Sequence, residues 1–175
     1  MIKMDSTLQC IKSCQMCSLQ YTRYHVVLGR GSLPCKILFL GEGPGKSEDL
    51  LGQAFIGESG KLLDRMCFES GLTFYKLYYT NIVLCYPTGK KGGKNREPEV
   101  SEVSACMENV LYIVGQANPE IIVFVGDIAK HYYNKVFPEA IHIQHPSFLL
   151  QTGGIQSPYY LKNIRILEGV NKCLQ

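Results

Sequence analysis

The sequence predicts an α/β fold of three layers, α/β/α, with helices on both faces of a central four-stranded parallel sheet. Short β-rich runs alternate with amphipathic helical stretches, the pattern of strands joined by crossover helices. Two of the runs, Ile37 to Leu40 and Ile121 to Val125, are apolar throughout, as strands covered on both faces are. At 175 residues and 46% hydrophobic, the chain suits one domain with a proper core, so residues 1–175 are read as a single domain.

The elements follow in order. The strand Ile37 to Leu40 stops at Gly41-Glu42-Gly43-Pro44-Gly45, where glycines free the backbone, Pro44 stiffens the turn and Glu42 sets a carboxylate at its mouth. A helix is expected over Ser59 to Ser70, with apolar Leu62, Leu63, Met66 and Cys67 on one face and Gly71 as its stop. Leu77 to Val83 reads as the second strand. Pro87 to Pro98, rich in glycine and cations, reads as a loop. Glu99 to Gln116 repeats apolar residues at Val103, Met107, Val110, Leu111 and Val114. Ile121 to Val125 is the third strand, Asp127 an N-cap candidate for a third helix, and Ala140 to Ile143 the fourth strand. The ends of parallel strands are where such sheets bind ligands, which marks the Gly41 turn as a candidate site.

Composition removes several functions. Net charge is +3, and Lys90, Lys91, Lys94 and Arg96 concentrate positive charge in one segment, a candidate for phosphate contact. Met1 to Ser6 lacks the apolar stretch of a secretory signal and no run is long enough to span a bilayer, so the expected location is the cytosol. Gly45-Lys46-Ser47 imitates the end of a phosphate-binding P-loop, but the required first glycine falls at Leu40. A dinucleotide fingerprint fails because its third glycine falls at Lys46.

Eight cysteines in a reducing compartment are better metal ligands or small core residues than disulfides. Cys14 and Cys17 form a close ligand pair. Cys35, Cys67, Cys85, Cys106 and Cys173 are single, which disfavours a zinc ribbon, whereas the corners of an iron–sulfur cluster accept ligands from separate elements. Zinc and a purely structural cysteine set remain open on spacing alone. Cys10, Cys14 and Cys17 also match the three-cysteine pattern of radical S-adenosylmethionine enzymes, but no strand precedes them and the chain is short for a barrel.

Three further segments fall at strand ends or before the first long helix: Gly52-Gln53-Ala54-Phe55-Ile56-Gly57, Thr80-Asn81-Ile82-Val83-Leu84-Cys85, and His145-Pro146-Ser147-Phe148-Leu149-Leu150. On Gly41-Glu42-Gly43-Pro44-Gly45-x2-Glu48-Asp49, Phe55-Ile56-Gly57-x-Ser59-Gly60-x-Leu62-Leu63, Thr80-Asn81-Ile82-Val83-x-Cys85 and His145-Pro146-Ser147, the chain resembles the uracil-DNA glycosylase superfamily, and within it the family-four enzymes that carry an iron–sulfur cluster. The resemblance implies a repair enzyme that flips uracil out of single- or double-stranded DNA and hydrolyses the N-glycosidic bond, leaving an abasic site. Cys14, Cys17, Cys85 and Cys106 would hold a 4Fe-4S cluster. Phe55 would stack on the flipped base, Asn81 would read its edge, and Glu48 would crowd C5 against thymine. His145 would donate to the uracil anion, while Glu42, with the Gly43 backbone, would position or activate the attacking water. Ser147, Phe148 and Leu149 would lie against DNA, with Lys90, Lys91 and Lys94 as further phosphate contacts.

The segment between Gly126 and His145 is shorter than the resemblance leads one to expect, the Cys85–Cys106 loop is longer, and Gln151 stands where arginine is typical. A monomer is expected. The alternative is a non-catalytic cluster-bearing relative that binds DNA or a protein. A zinc-stabilised α/β binding module is a third reading.

Overall fold

The computed structural model describes residues 6–175, so the first residues of the segment read for a secretory signal, Met1 to Asp5, lie outside it. The sheet is built from β1 (Arg30–Gly31), β2 (Ile37–Gly41), β3 (Leu77–Asn81), β4 (Ile121–Val125) and β5 (Ile141–Ile143). Its order is β1-β3-β2-β4-β5, with β2 parallel to both β3 and β4, β4 parallel to β5, and β1 antiparallel to β3. The four expected strands are present and parallel. The fifth, at the edge, spans two residues, too few for periodicity to reveal it. β3 ends two residues earlier than expected, although Ile82 and Val83 still donate to the carbonyls of Gly41 and Glu42.

The helices are α1 (Ser6–Lys12), α2 (Lys46–Leu51), α3 (Glu58–Glu69), α4 (Val100–Ala117), α5 (Asp127–Tyr133), α6 (Pro146–Gln151) and α7 (Pro158–Leu174). Asp127 is the first residue of α5, and the N-cap is Gly126. A capping box between Glu99 and Glu102 opens α4.

Alternation along β2 divides the core. Leu38 and Leu40 face one layer with Val103, Val110 and Ile113 of α4. Ile37 and Phe39 face the other with Leu63 and Met66 of α3 and Leu167 and Val170 of α7. Because side chains point to opposite faces at successive positions, an all-apolar strand needs helices on both sides, which is the three-layer arrangement observed. The chain leaves β2 for β3 on one side and crosses to β4 on the other, so the carboxyl end of β2 is a topological switch point, where such sheets form a crevice.

Candidate active site

The crevice is a cleft of about 280 Å³ lined by Glu42, Gly43, Glu48, Phe55, Asn81 and His145, among others. Six residues from five separate segments of the sequence therefore converge. Gly41 and Asn81 are direct neighbours in the β2–β3 register. A Cβ on Gly41 would stand 2.5 Å from the Phe55 ring and 2.6 Å from Asn81 Oδ1, so only glycine lets the ring and the amide share this end of the cleft. Asn81 is 2% exposed, its side chain held by the strand rather than by a loop.

Phe55 has φ of 53°, a left-handed conformation that costs a bulky residue of order 1–3 kcal/mol. Several contacts hold it. Glu48 Oε1 accepts from the amides of Ile56 (2.9 Å) and Gly57 (2.7 Å), the residues leading into α3. A Cβ on Gly60 would overlap the Phe55 carbonyl. The Phe55 ring packs on Tyr79 (6.0 Å between centroids), which stacks on Phe39 at 5.1 Å. The Glu48 carboxylate thus braces the Phe55 loop as well as lining the cleft.

His145 follows β5 and caps α6. Its Nδ1 accepts from the Ser147 amide (3.1 Å) and hydroxyl (2.7 Å), which leaves the ring proton on Nε2. Desolvation by the surrounding protein lowers its pKa to about 4, so the ring is a neutral donor at physiological pH. Gly126, with φ of 95°, is required beside it, because a Cβ there would stand 2.9 Å from the His145 Cβ. Asn163 of α7 anchors the preceding residue, accepting from the Gln144 amide at 3.0 Å and donating to its carbonyl at 2.9 Å.

Burial, and then the nearby Glu97 carboxylate, raise the Glu42 pKa from its ordinary value. A group acting as a base must be ionised, so any activity in which Glu42 served as a base would fall as pH drops through this raised value. Glu97→Gln removes the repulsion and moves that acid limb to lower pH; a pH–rate profile of kcat/KM checks it. His145, neutral down to about 4, adds no limb near neutrality.

Leu149 does not reach the surface. It is fully buried in the core on the α3 and α7 side, because α6 turns its inward face there, and Phe148 and Leu150 are the exposed apolar residues of that helix. Phe148 packs edge-on to Tyr159 at 5.2 Å beside a groove that Glu42, Gly126, His145 and Ser147 also line. Lys90, Lys91 and Lys94 are exposed on the loop between β3 and α4, with Lys91 Nζ 4.5 Å from the Tyr24 ring centroid. Arg96 is not free for a ligand: its guanidinium forks onto buried Glu102 at 2.6 and 2.9 Å.

On the opposite side of the sheet, Cys14, Cys17, Cys85 and Cys106 line one small pocket. Three of the sulfurs already have N–H donors: Asn109 Nδ2 to Cys14 (3.5 Å), Arg23 Nη1 to Cys85 (3.7 Å) and the Leu84 amide to Cys106 (3.4 Å). Burial pushes the Cys85 and Cys106 thiols up to about 12. Among the described residues, no three His, Cys, Asp or Glu stand close enough to hold a single metal ion. Cys35 and Cys67 are core residues; Cys10 and Cys173 are exposed.

Sequence reasoning gave no role in the site to Ser47 and Ser59, although both stand in segments it singled out, and missed Asn95, which also lines the cleft, and Asn163. Asn163 had a signal: it falls on the buried stripe Tyr160, Asn163, Leu167, Val170, where an amide must find partners.

The model of the uracil DNA glycosylase superfamily matches residues 28–167. The chain is 37% identical over 123 residues to a type-4 uracil-DNA glycosylase of Thermotoga maritima, covering 70% of this chain and 62% of that one. It is 34% identical over 137 residues to the type-4 enzyme of Archaeoglobus fulgidus (78% and 66%) and 36% identical over 126 residues to that of Saccharolobus solfataricus (71% and 56%). The chain thus spans less than two thirds of the length of these relatives. A match running from the residue before Gly29 through most of α7, over every segment that lines the cleft, places the chain in the uracil-DNA glycosylase superfamily.

Proposed function

We propose that residues 1–175 form one uracil-DNA glycosylase domain that removes uracil from DNA by hydrolysis of the N-glycosidic bond. The observation that carries this reading is the joining of an aromatic platform, a buried amide, a neutral histidine and a raised-pKa carboxylate in one cleft. Stacked uracil is out of reach, so the nucleotide must be flipped into the cleft. Phe55 stacks on it, worth about 1–3 kcal/mol. The Asn81 amide offers a donor and an acceptor to O4 and N3–H, a pattern that cytosine reverses. Glu48, on the cleft wall, would be the residue that crowds a C5 methyl and so disfavours thymine.

Bond cleavage leaves an oxocarbenium-like sugar and a uracil anion. The Nε2–H of His145 meets the anion at O2 without giving up its proton, since a ring with a pKa near 4 is a donor already at neutral pH. Glu42, with the Gly43 backbone, orients water on the sugar side and favours its positive charge. Ser147 and Phe148 lie along the DNA, Phe148 in the place expected for Leu149, filling the gap left by the flipped base.

What supports the 4Fe-4S reading is that four cysteines from three separate segments line one pocket and three of their sulfurs have N–H donors. Cys14, Cys17, Cys85 and Cys106 would hold the cluster. When bound, the cluster supplies a tie between the N-terminal segment, the end of β3 and α4, and the hydrolysis needs no electron from it.

Among the described residues no helix is long and apolar enough to cross a membrane, and a cytoplasmic monomer acting on DNA is the reading we adopt. Lys90, Lys91 and Lys94 contact phosphates. Replacing all three by glutamine is expected to flatten the slope of log K against log salt by about 2–3, each contact being worth roughly 0.7–0.9; an unchanged slope assigns the loop no phosphate.

The deciding experiment is uracil release from single- and double-stranded oligonucleotides by anaerobically purified protein, with iron and zinc measured on the same sample. Release by brown protein supports the reading. Brown, folded protein that releases nothing favours the binding-only relative, and colourless protein with stoichiometric zinc favours the third.

A further inference from the structure

Arg30 makes more contacts around Phe55 than the edge strand needs. It sits on β1 opposite Tyr79 of β3. Its Nε donates to the Ala54 carbonyl at 3.0 Å, its Nη2 to the Phe55 carbonyl at 3.2 Å and to Asp64 Oδ1 of α3 at 2.8 Å, and its guanidinium lies 4.3 Å over the Tyr79 ring. One rigid fork thus ties together both carbonyls at the left-handed turn, the helix that follows it and the ring beneath Phe55. The ion pair itself is partly exposed, with side-chain exposures of 28% and 42%, so it adds little to global stability. What the fork does is local. Glu48 holds the amides of Ile56 and Gly57 from one side while Arg30 holds the carbonyls of Ala54 and Phe55 from the other, and φ of 53° at Phe55 persists between them.

We propose that Arg30, oriented by Asp64, is a positioning residue that keeps Phe55 in its strained conformation, so that the platform for the flipped base is preformed. The inference rests on the reading of Phe55 as that platform. Preorganisation of this kind acts on binding: without it, ordering of the loop is charged against substrate and product alike, which raises KM more than it lowers kcat. Lysine is no substitute, since a point charge cannot serve two carbonyls, a carboxylate and a ring face together.

The test compares the full chain with Arg30→Gln and Arg30→Lys. The first readout is hydrogen exchange at the amides of Ile56 and Gly57, which needs no catalytic activity. The expected result is exchange about tenfold faster there in Arg30→Gln, with amides of β2 and β4 unchanged and the melting temperature held within a few degrees. The second is kinetic: KM for uracil-containing DNA and the inhibition constant of free uracil each rise about tenfold, kcat changes less than about threefold, and Arg30→Lys falls between. Unchanged exchange at Ile56 and Gly57, uniform acceleration across the sheet, or unaltered uracil inhibition each overturn the positioning role. Parent protein that excises no uracil, while exchange responds as stated, overturns the glycosylase reading and leaves Arg30 as the brace of this loop.

Discussion

His145→Ala is expected to lower kcat for uracil release by about 10²–10³-fold while affinity for uracil-containing DNA changes by less than about threefold, the result for a donor that acts only on charge developing in the transition state. The expectation depends on how the ring is held. Nδ1 is occupied by the Ser147 amide and hydroxyl, so Nε2 keeps the proton, and burial holds the imidazole neutral. A neutral N–H aimed at a nascent anion gains strength as charge builds up, with little reward in the ground state. Alanine also removes the cap of α6, a loss of about 1 kcal/mol of stability. His145→Asn restores a capping side chain without the imidazole donor, so it should recover the melting temperature but not the rate. Equal losses in affinity and rate for both variants would assign His145 to DNA binding instead.

Asn81→Asp carries the second large effect, a fall in kcat/KM for uracil of about 10³-fold or more. A site built to hydrogen-bond one face of a base rejects mismatched partners by about 10⁴–10⁵-fold, because buried polar groups are left unpaired. Asn81 is 2% exposed at the end of β3 and flanked by the Gly41 backbone, so its amide cannot swing away to relieve a mismatch. Aspartate removes the donor proposed to face O4 and places another carboxylate in a cleft that already contains Glu42 and Glu48. Single-turnover release of uracil, with cytosine-containing DNA and Asn81→Ala measured alongside, checks this. Unchanged uracil release in Asn81→Asp would remove the base-reading role.

Legibility in the sequence followed the range of the interactions. The strands Ile37–Leu40 and Ile121–Val125 were readable because burial on both faces leaves a continuous apolar run. Helix α3 was readable from its single apolar stripe. The short α2 and α6 and the edge strand β1 carry too few residues for a period to register. Helix α7 was passed over although its stripe runs through Tyr160, Leu167 and Val170, with Asn163 interrupting it at the position that anchors Gln144. Leu149 was misplaced because a motif orders residues along the chain and says nothing of which face of a six-residue helix turns inward.

The sequence by itself determined the chemistry available: in the cleft, a glycine turn with one carboxylate, an aromatic between glycines, an asparagine at a strand end and a histidine before proline, and apart from it a close cysteine pair with two more cysteines distant along the chain. Those are properties of residue type and of local backbone freedom, which neighbours along the chain dictate. Tertiary structure alone decided the protonation state of His145, the raised pKa of Glu42, the left-handed Phe55 and the brace on it from Arg30 and Glu48. Desolvation, and strain sustained by contacts from distant segments, arise only when elements remote in sequence pack together, so no window of the chain contains them.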